Sequence, residues 1–271
     1  MSRVTVTEFT DPFSSWCWGA EPIRRRLREV YRDQLSFEYV MGGLAEDLDD
    51  FQNPAGGLLE DEGLAAHLQV AAHRHGMPVD ISSWRENPPT STYPANVAYE
   101  AAAFQDRDRA HAYLRRMREA GLAEGHNIER EAVLVDLAGE VGLDIEQFRA
   151  DLDSERAWTA FEEDLDRTRE YGVTGLPAFL VEFEGEAELV RGYRPFATFE
   201  KLFAETGLGL ETYEPRPVAE LVDHYGRVAT REVAEIHGLS TDEAKTKLRR
   251  LEETAEVRAV EAGTGLLWEA R

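Results

Sequence analysis

The stretch Asp11-Pro12-Phe13-Ser14-Ser15-Trp16-Cys17-Trp18-Gly19 holds the side chains best placed to do chemistry. It follows a β-type run in which Val4 and Val6 alternate with Thr5 and Thr7. It precedes a helical pattern in which Ile23, Leu27, Val30 and Tyr31 share a face. Asp11-Pro12 ends the strand and begins a turn. Ser14 and Cys17 therefore fall at a helix start and nearly one turn inside it. Free backbone N–H groups at such a start favour negative charge, so a thiolate there has a depressed pKa and is nucleophilic. Ser14 holds that outer place, but a hydroxyl is not appreciably ionised at neutral pH. Cys17 is the only cysteine, so no internal disulfide can form. Set inside the helix, it reads as a small buried apolar group. Trp16, between the two, is placed to face a substrate, whereas Trp18 reads as packing.

The elements around this stretch suggest how it is held. Leu35 to Val40 forms a second strand, so strand, turn, helix and strand predict a right-handed βαβ unit with a parallel pair. Residues from about 45 to 170 read as almost all helix. One helix is marked by Leu64, Leu68 and Ala71. Prolines 88, 89 and 94 punctuate a loop containing Tyr93. An alanine-rich helix from Ala95 to Ala120 follows, and helical spacing runs from Glu146 to Tyr171. Ala178 to Phe183 and Glu188 to Gly192 form a hairpin about Glu184-Gly185-Glu186, and Phe196 to Glu205 is a closing helix. The fold class is α/β.

Glu211 to Pro217 reads as an acidic, proline-bearing linker. Residues 215–271 carry nine basic and eleven acidic residues, close to neutral in a chain of net charge −23, which supports a separate unit. Its pattern is three helices and a hairpin about Gly263-Thr264-Gly265, the layout of a winged helix-turn-helix domain over 218–271. Lys245, Lys247, Arg249 and Arg250 cluster on its third helix, where a phosphate-contacting face would lie, but acidic residues flank them. Contacts with protein or a homodimer partner fit this unit better than DNA.

The chain resembles the DsbA family of thioredoxin-fold proteins, and within it the FrnE-like branch, whose motif reads D-P-x-C-S-W-C-W-G. Every fixed position of that motif matches except one: Ser14 stands where the family has its nucleophilic cysteine. Cys17 matches the resolving cysteine. Gly172-Val173-Thr174-Gly175-Leu176-Pro177 is similar to the loop bearing the family's cis-proline, and the stretch from Pro88 to Pro94 with its alanine-rich helix is similar to the family's helical insert. The resemblance covers about 1–210. It implies a thioredoxin-like domain with a helical insert at about 45–170 and a thiol–disulfide oxidoreductase site at Ser14 and Cys17. Leu176 and Pro177 would face that site, with the backbone of Leu176 pairing with an extended substrate. It implies protein or small-molecule thiol or disulfide partners and no bound cofactor.

The serine breaks the two-electron cycle that this chemistry needs. It is either an engineered change or a natural loss of redox activity, and a cysteine at 14 would then supply the missing thiol. A second expectation comes from the related 2-hydroxychromene-2-carboxylate isomerases. Their serine, in a motif similar to Pro12-Phe13-Ser14, hydrogen-bonds a small thiol such as glutathione; γ-glutamylcysteine would serve equally. A third is a non-enzymatic adaptor or DNA-binding regulator.

Composition narrows the setting. Of 30 basic residues only Lys201, Lys245 and Lys247 are lysine, against 53 acidic residues. That balance suits a salt-rich cytoplasm in which self-repulsion is screened, so the net charge reports the solvent rather than a cationic partner. No eighteen-residue apolar run exists, which excludes an ordinary membrane-spanning helix. The opening MSRVTVTEF lacks the apolar core of a signal peptide, so a cytoplasmic location is expected. His67, His73 and His75 lack metal-ligand spacing and read as a solvated helix face. Glu46-Asp47 and Asp49-Asp50 read as hydrated surface, because a calcium loop's spacing and final glutamate are missing.

Overall fold

Strand β1 (Val4–Thr10) is the centre of the molecule, and in this computed structural model it is buried on both faces. The structure describes residues 4–49 and 61–271. Asp50, and the part of the predicted insert covering 50–60, lie outside the described residues. Next come α1 (Ser15–Gly19), α2 (Glu21–Tyr31) and β2 (Leu35–Met41). The pair β1–β2 is parallel, with Val4 opposite Leu35 and Thr10 opposite Met41. The helical pattern that follows the motif is not one helix in the structure. Instead Ala20 joins two helices, and Pro22 sits in the first turn of α2, where its missing N–H is not needed.

The insert contains α3 (Asp61–His75), α4 (Ser82–Glu86), α5 (Tyr93–Ala103), α6 (Arg107–Arg118), α7 (Glu131–Glu140), α8 (Ile145–Leu152) and α9 (Glu155–Glu170). Two expected long helices are each broken by a cap. Asp106 accepts the Arg109 N–H at 2.8 Å and starts α6, so Ala95 to Ala120 is not continuous. Ser154 accepts the Ala157 N–H at 3.3 Å and starts α9. A π-helical turn, Glu119–Ala123, follows α6. Tyr93 and Pro94, expected in a loop, form the first turn of α5.

Strands β3 (Ala178–Phe183) and β4 (Glu186–Arg191) complete a sheet of order β2-β1-β3-β4, both pairing antiparallel. Helix α10 (Phe196–Glu205) packs with α2 on one face, where Val6, Leu27, Phe179, Phe199 and Phe203 form a core. A larger core joins Phe13 and Trp18 to the insert helices.

Residues 218–271 form α11 (Val218–Tyr225), β5 (Arg227–Ala229), α12 (Thr230–His237), α13 (Thr241–Glu253), β6 (Val257–Ala262) and β7 (Gly265–Ala270). Strand β5, too short to show in the sequence pattern, pairs with β7 to give the order β5-β7-β6. Ser240 caps α13, with Ser240 N–H donating to Glu243 at 2.9 Å in return. This unit has its own core around Leu221, Val233, Leu248 and Trp268. It is also bonded to the rest. Glu232 accepts from Arg115 at 2.7 Å and lies 3.0 Å from Arg25. Thr264 N–H donates to Val79 O at 3.0 Å, and Val79 N–H to Thr264 Oγ1 at 3.1 Å. A Cβ on Gly263 would lie 2.3 Å from Val79, so only glycine lets the hairpin tip come so close. The segment 211–217 runs along α2: Tyr213 N–H donates to Val30 O at 2.8 Å and Arg216 pairs with Glu29.

Candidate functional site

Ser14 is the N-cap of α1, with extended backbone at φ −71° and ψ 112°. Its Oγ accepts the Cys17 N–H at 3.3 Å, and its own N–H donates to Asp11 O at 3.1 Å. Ser14 is nearly buried, and its hydroxyl also hydrogen-bonds the Cys17 thiol. The turn before it is set by Asp11. That buried carboxylate accepts from the N–H of Phe13 and of Leu44, each at 2.7 Å, and from Thr92 Oγ1 and Asn96 Nδ2, each at 2.8 Å. One side chain thus ties the site loop to the end of β2 and to α5. Burial raises the Asp11 pKa, and these four bonds oppose the rise.

Cys17 is fully buried. Burial pushes its thiol up to about 11; Arg118 opposes the shift and Glu8 adds to it. At neutral pH it is a protonated thiol without access to solvent, which is the packing role its place inside the helix suggests. Trp18 is also fully buried, with Nε1 donating to Pro78 O at 2.8 Å and the Arg115 guanidinium 4.5 Å from the ring centre.

A groove of about 1210 Å³ opens in front of α1. Ser14, Trp16 and Leu176 line it together, with Gly42, Leu44 and Trp84 opposite. The Leu176–Pro177 peptide is cis. Pro177 is buried behind Leu176 and accepts the Gly192 N–H at 2.9 Å. A Cβ on Gly42 would lie 2.9 Å from Leu176, so glycine there admits the loop against the end of β2. Of the five residues expected at the site, three share the groove wall, while Cys17 and Pro177 are not part of the lining.

His75 is the residue the sequence misplaces. It is buried, not solvated, because α3 turns its last residue under α1. Its Nδ1 accepts the Met77 N–H at 3.1 Å, so the ring proton sits on Nε2, which donates to Ser15 Oγ at 3.1 Å. In this tautomer the imidazole cannot take a proton from Ser15, and the pair is not a nucleophile with its base. Burial, then Arg231, lowers its pKa to about 4, so the ring is neutral at pH 7. A Cβ on Gly19 would lie 2.7 Å from this ring, which fixes glycine at the end of the motif. His67 lines the groove and His73 is exposed. Among the described residues no three His, Cys, Asp or Glu side chains are grouped to hold a metal ion.

Lys245, Lys247, Arg249 and Arg250 are exposed on α13. Arg249 pairs with Glu252 at 2.5 Å and stacks 5.1 Å from the Trp268 ring centre, so the cluster is smaller than the sequence suggests. Among the described residues no helix is long and apolar enough to cross a membrane.

A family model described as thioredoxin matches residues 8–201. The ClpXP adapter protein SpxH of Halalkalibacterium halodurans is 28% identical over 267 residues, which is 97% of this chain and 87% of that one. A putative protein disulfide isomerase from Nitrosomonas europaea superposes with a TM-score of 0.65 at 21% identity, covering 77% of this chain and all of the other. The cytosolic disulfide reductase DsbM of Pseudomonas aeruginosa gives 0.59 at 23% identity over 75% of this chain and 98% of its own; with GSH it gives 0.56 at 24% identity over the same shares. These two structures share the fold.

Proposed function

This chain belongs to the thioredoxin family, and on that premise we propose that it is a redox-silent member that binds a partner protein and presents it, as an adaptor does. One observation carries the reading: an open groove runs past a site whose outer position is Ser14 and whose only thiol, Cys17, is buried and held protonated. Such a site keeps the recognition wall of a disulfide oxidoreductase without the electron transfer. An extended segment of the partner would lie between Trp16 and Leu176, bonded to the backbone before Pro177. The resemblance to the adapter SpxH supports this, because it extends past the thioredoxin-type region through the last unit. We read that unit as winged-helix-like and as a protein-contact surface. The DsbA-type disulfide chemistry is then the ancestral use of the groove, recoverable at position 14.

The test uses the intact chain in two assays. Wild type should not turn over a model disulfide such as insulin. It should bind an extended cysteine-bearing peptide with a change in tryptophan fluorescence that Trp16→Phe reduces. Catalytic reduction by wild type, or no saturable binding of any such peptide, defeats the reading.

A second reading has its own support in the Ser14 hydroxyl on the groove wall. A charge-assisted hydrogen bond from that group to the thiolate of a small thiol is the chemistry of the isomerase-like alternative. Calorimetric titration with glutathione and with γ-glutamylcysteine decides it, since native-state binding raises the unfolding temperature. No heat and no shift with either thiol removes it.

A further inference from the structure

A second cavity of about 1210 Å³ is lined by α2, β2, α6 and the last unit, where the insert and the last unit meet. Nine arginines line it. Seven are engaged by carboxylates, among them Arg24 with Glu8, Arg118 with Glu21 and Arg216 with Glu29. Arg28 and Arg32 differ: among the described residues no carboxylate lies within 4.0 Å of either. Arg28 lies in the last turn of α2, Arg32 caps its C-terminus, and both line this cavity. Each is held by an aromatic ring, Arg28 at 4.7 Å from the centre of Phe37 and Arg32 at 4.3 Å from that of Tyr213. A ring takes the face of a guanidinium and leaves the in-plane N–H fork free. The fork contacts that remain are weak: Arg28 to Tyr39 Oη at 3.5 Å and Arg32 to Glu214 O at 3.3 Å. Two more donors in this wall, Arg118 Nε and Arg116 Nη1, have no hydrogen-bond partner among the described residues.

The lining sets nine arginines against seven carboxylates, those of Glu21, Glu29, Asp33, Asp108, Glu119, Glu140 and Glu269, and Arg28 and Arg32 are the two arginines left over. Burial, and after it Arg28, lowers the pKa of His111 in this wall to about 4. Arg32 ends α2 with φ 51°, a backbone region that non-glycine residues seldom occupy and that tends to persist at functional sites. Asp33 and Asp108 also line the cavity; Glu29 and Glu140 are already bonded to Arg216 and Arg116.

We propose that this cavity binds a small multivalent oxyanion, held by the forks of Arg28 and Arg32 at the junction of the insert and the last unit. Two separate forks in one cavity wall match the spread oxygens of a polyphosphate or a polycarboxylate better than a monovalent ion.

The test is calorimetric titration of the full chain at constant high potassium chloride, with pyrophosphate in one arm and citrate in the other. Saturable binding of one ion per chain is expected from at least one of them, and the stronger arm identifies phosphate or carboxylate. Arg32→Ala, an exposed change that spares the core, should weaken it by about tenfold or more, the loss of one charge-assisted pair. Arg28→Lys keeps the charge but removes the fork and should weaken it similarly. Arg149→Ala, on α8 and outside the cavity, should leave it unchanged. Failure of both ions to bind saturably, or equal weakening by Arg149→Ala, overturns the proposal.

Discussion

Replacing Ser14 by cysteine should create the thiolate this site lacks. The new sulfur would sit at a helix start and accept the Cys17 N–H, as the hydroxyl does now. Ser14→Cys is expected to reduce or oxidise a model disulfide where wild type does not. If the introduced thiol alkylates freely yet the variant stays inert, the redox ancestry of the groove is wrong. Cys17 itself should resist a thiol reagent in the native protein at pH 8 and react only on unfolding, since its thiol titrates near 11. Gly19→Ala should cost about 1–3 kcal/mol in denaturant unfolding, because its methyl group would overlap the His75 ring. A variant as stable as wild type would mean that the ring moves without cost.

At the scale of elements, the wall behind the groove hides a pair of carboxyl groups. Asp164 on α9 accepts the Met41 N–H at 2.5 Å and is hydrogen-bonded to Glu100 on α5. Burial first, and then Asp164, raises Glu100 to about 8; burial raises Asp164 to about 6. Native Glu100 thus keeps its proton over a range where the unfolded carboxyl has lost it, so its contribution declines as pH climbs from about 4.5 to about 8. His75 acts oppositely: native at about 4 and unfolded at 6.5, it lowers stability as pH falls through that interval. Glu100→Gln should flatten the decline above pH 6, read from urea midpoints, while leaving the acid side unchanged. An undiminished alkaline decline would place its origin elsewhere. Such pairings are also where the sequence falls silent. The four strands of the main sheet, the closing helix 196–205, and Ser14, Trp16 and Leu176 on one wall were legible, because period, turn residues and motif are local signals. The breaks at Asp106 and Ser154 were not, because caps inside alanine-rich or charged runs look like ordinary helix surface. Nor was His75, whose burial depends on where α3 ends relative to α1.

For the whole molecule, the question is what keeps so acidic a chain together. Part of the answer is internal pairing: Glu8, Glu21, Arg24 and Arg118 are buried together beneath the sheet and α2. Glu232 extends the pairing to the last unit. Glu232→Ala strands Arg25, while Arg115 keeps Glu119 and Glu21, and should cost about 3–5 kcal/mol, the usual result of breaking a buried pair from one side. The rest is solvent: raising potassium chloride from about 0.1 M to about 1 M shortens the screening length from about 10 Å to about 3 Å. The unfolding temperature should rise over that range; a flat or falling curve would show that the charge is not a salt adaptation. The same frame gives residues 75–79 an unusual position. Within five residues His75 holds Ser15, Pro78 holds Trp18, and Val79 is bonded twice to Thr264. This strap works like a tie-rod between the floor of the groove and the wing-like hairpin, so a guest that dislodges Ser15 tugs on the far end of the chain, and a clamp on that hairpin stiffens the floor.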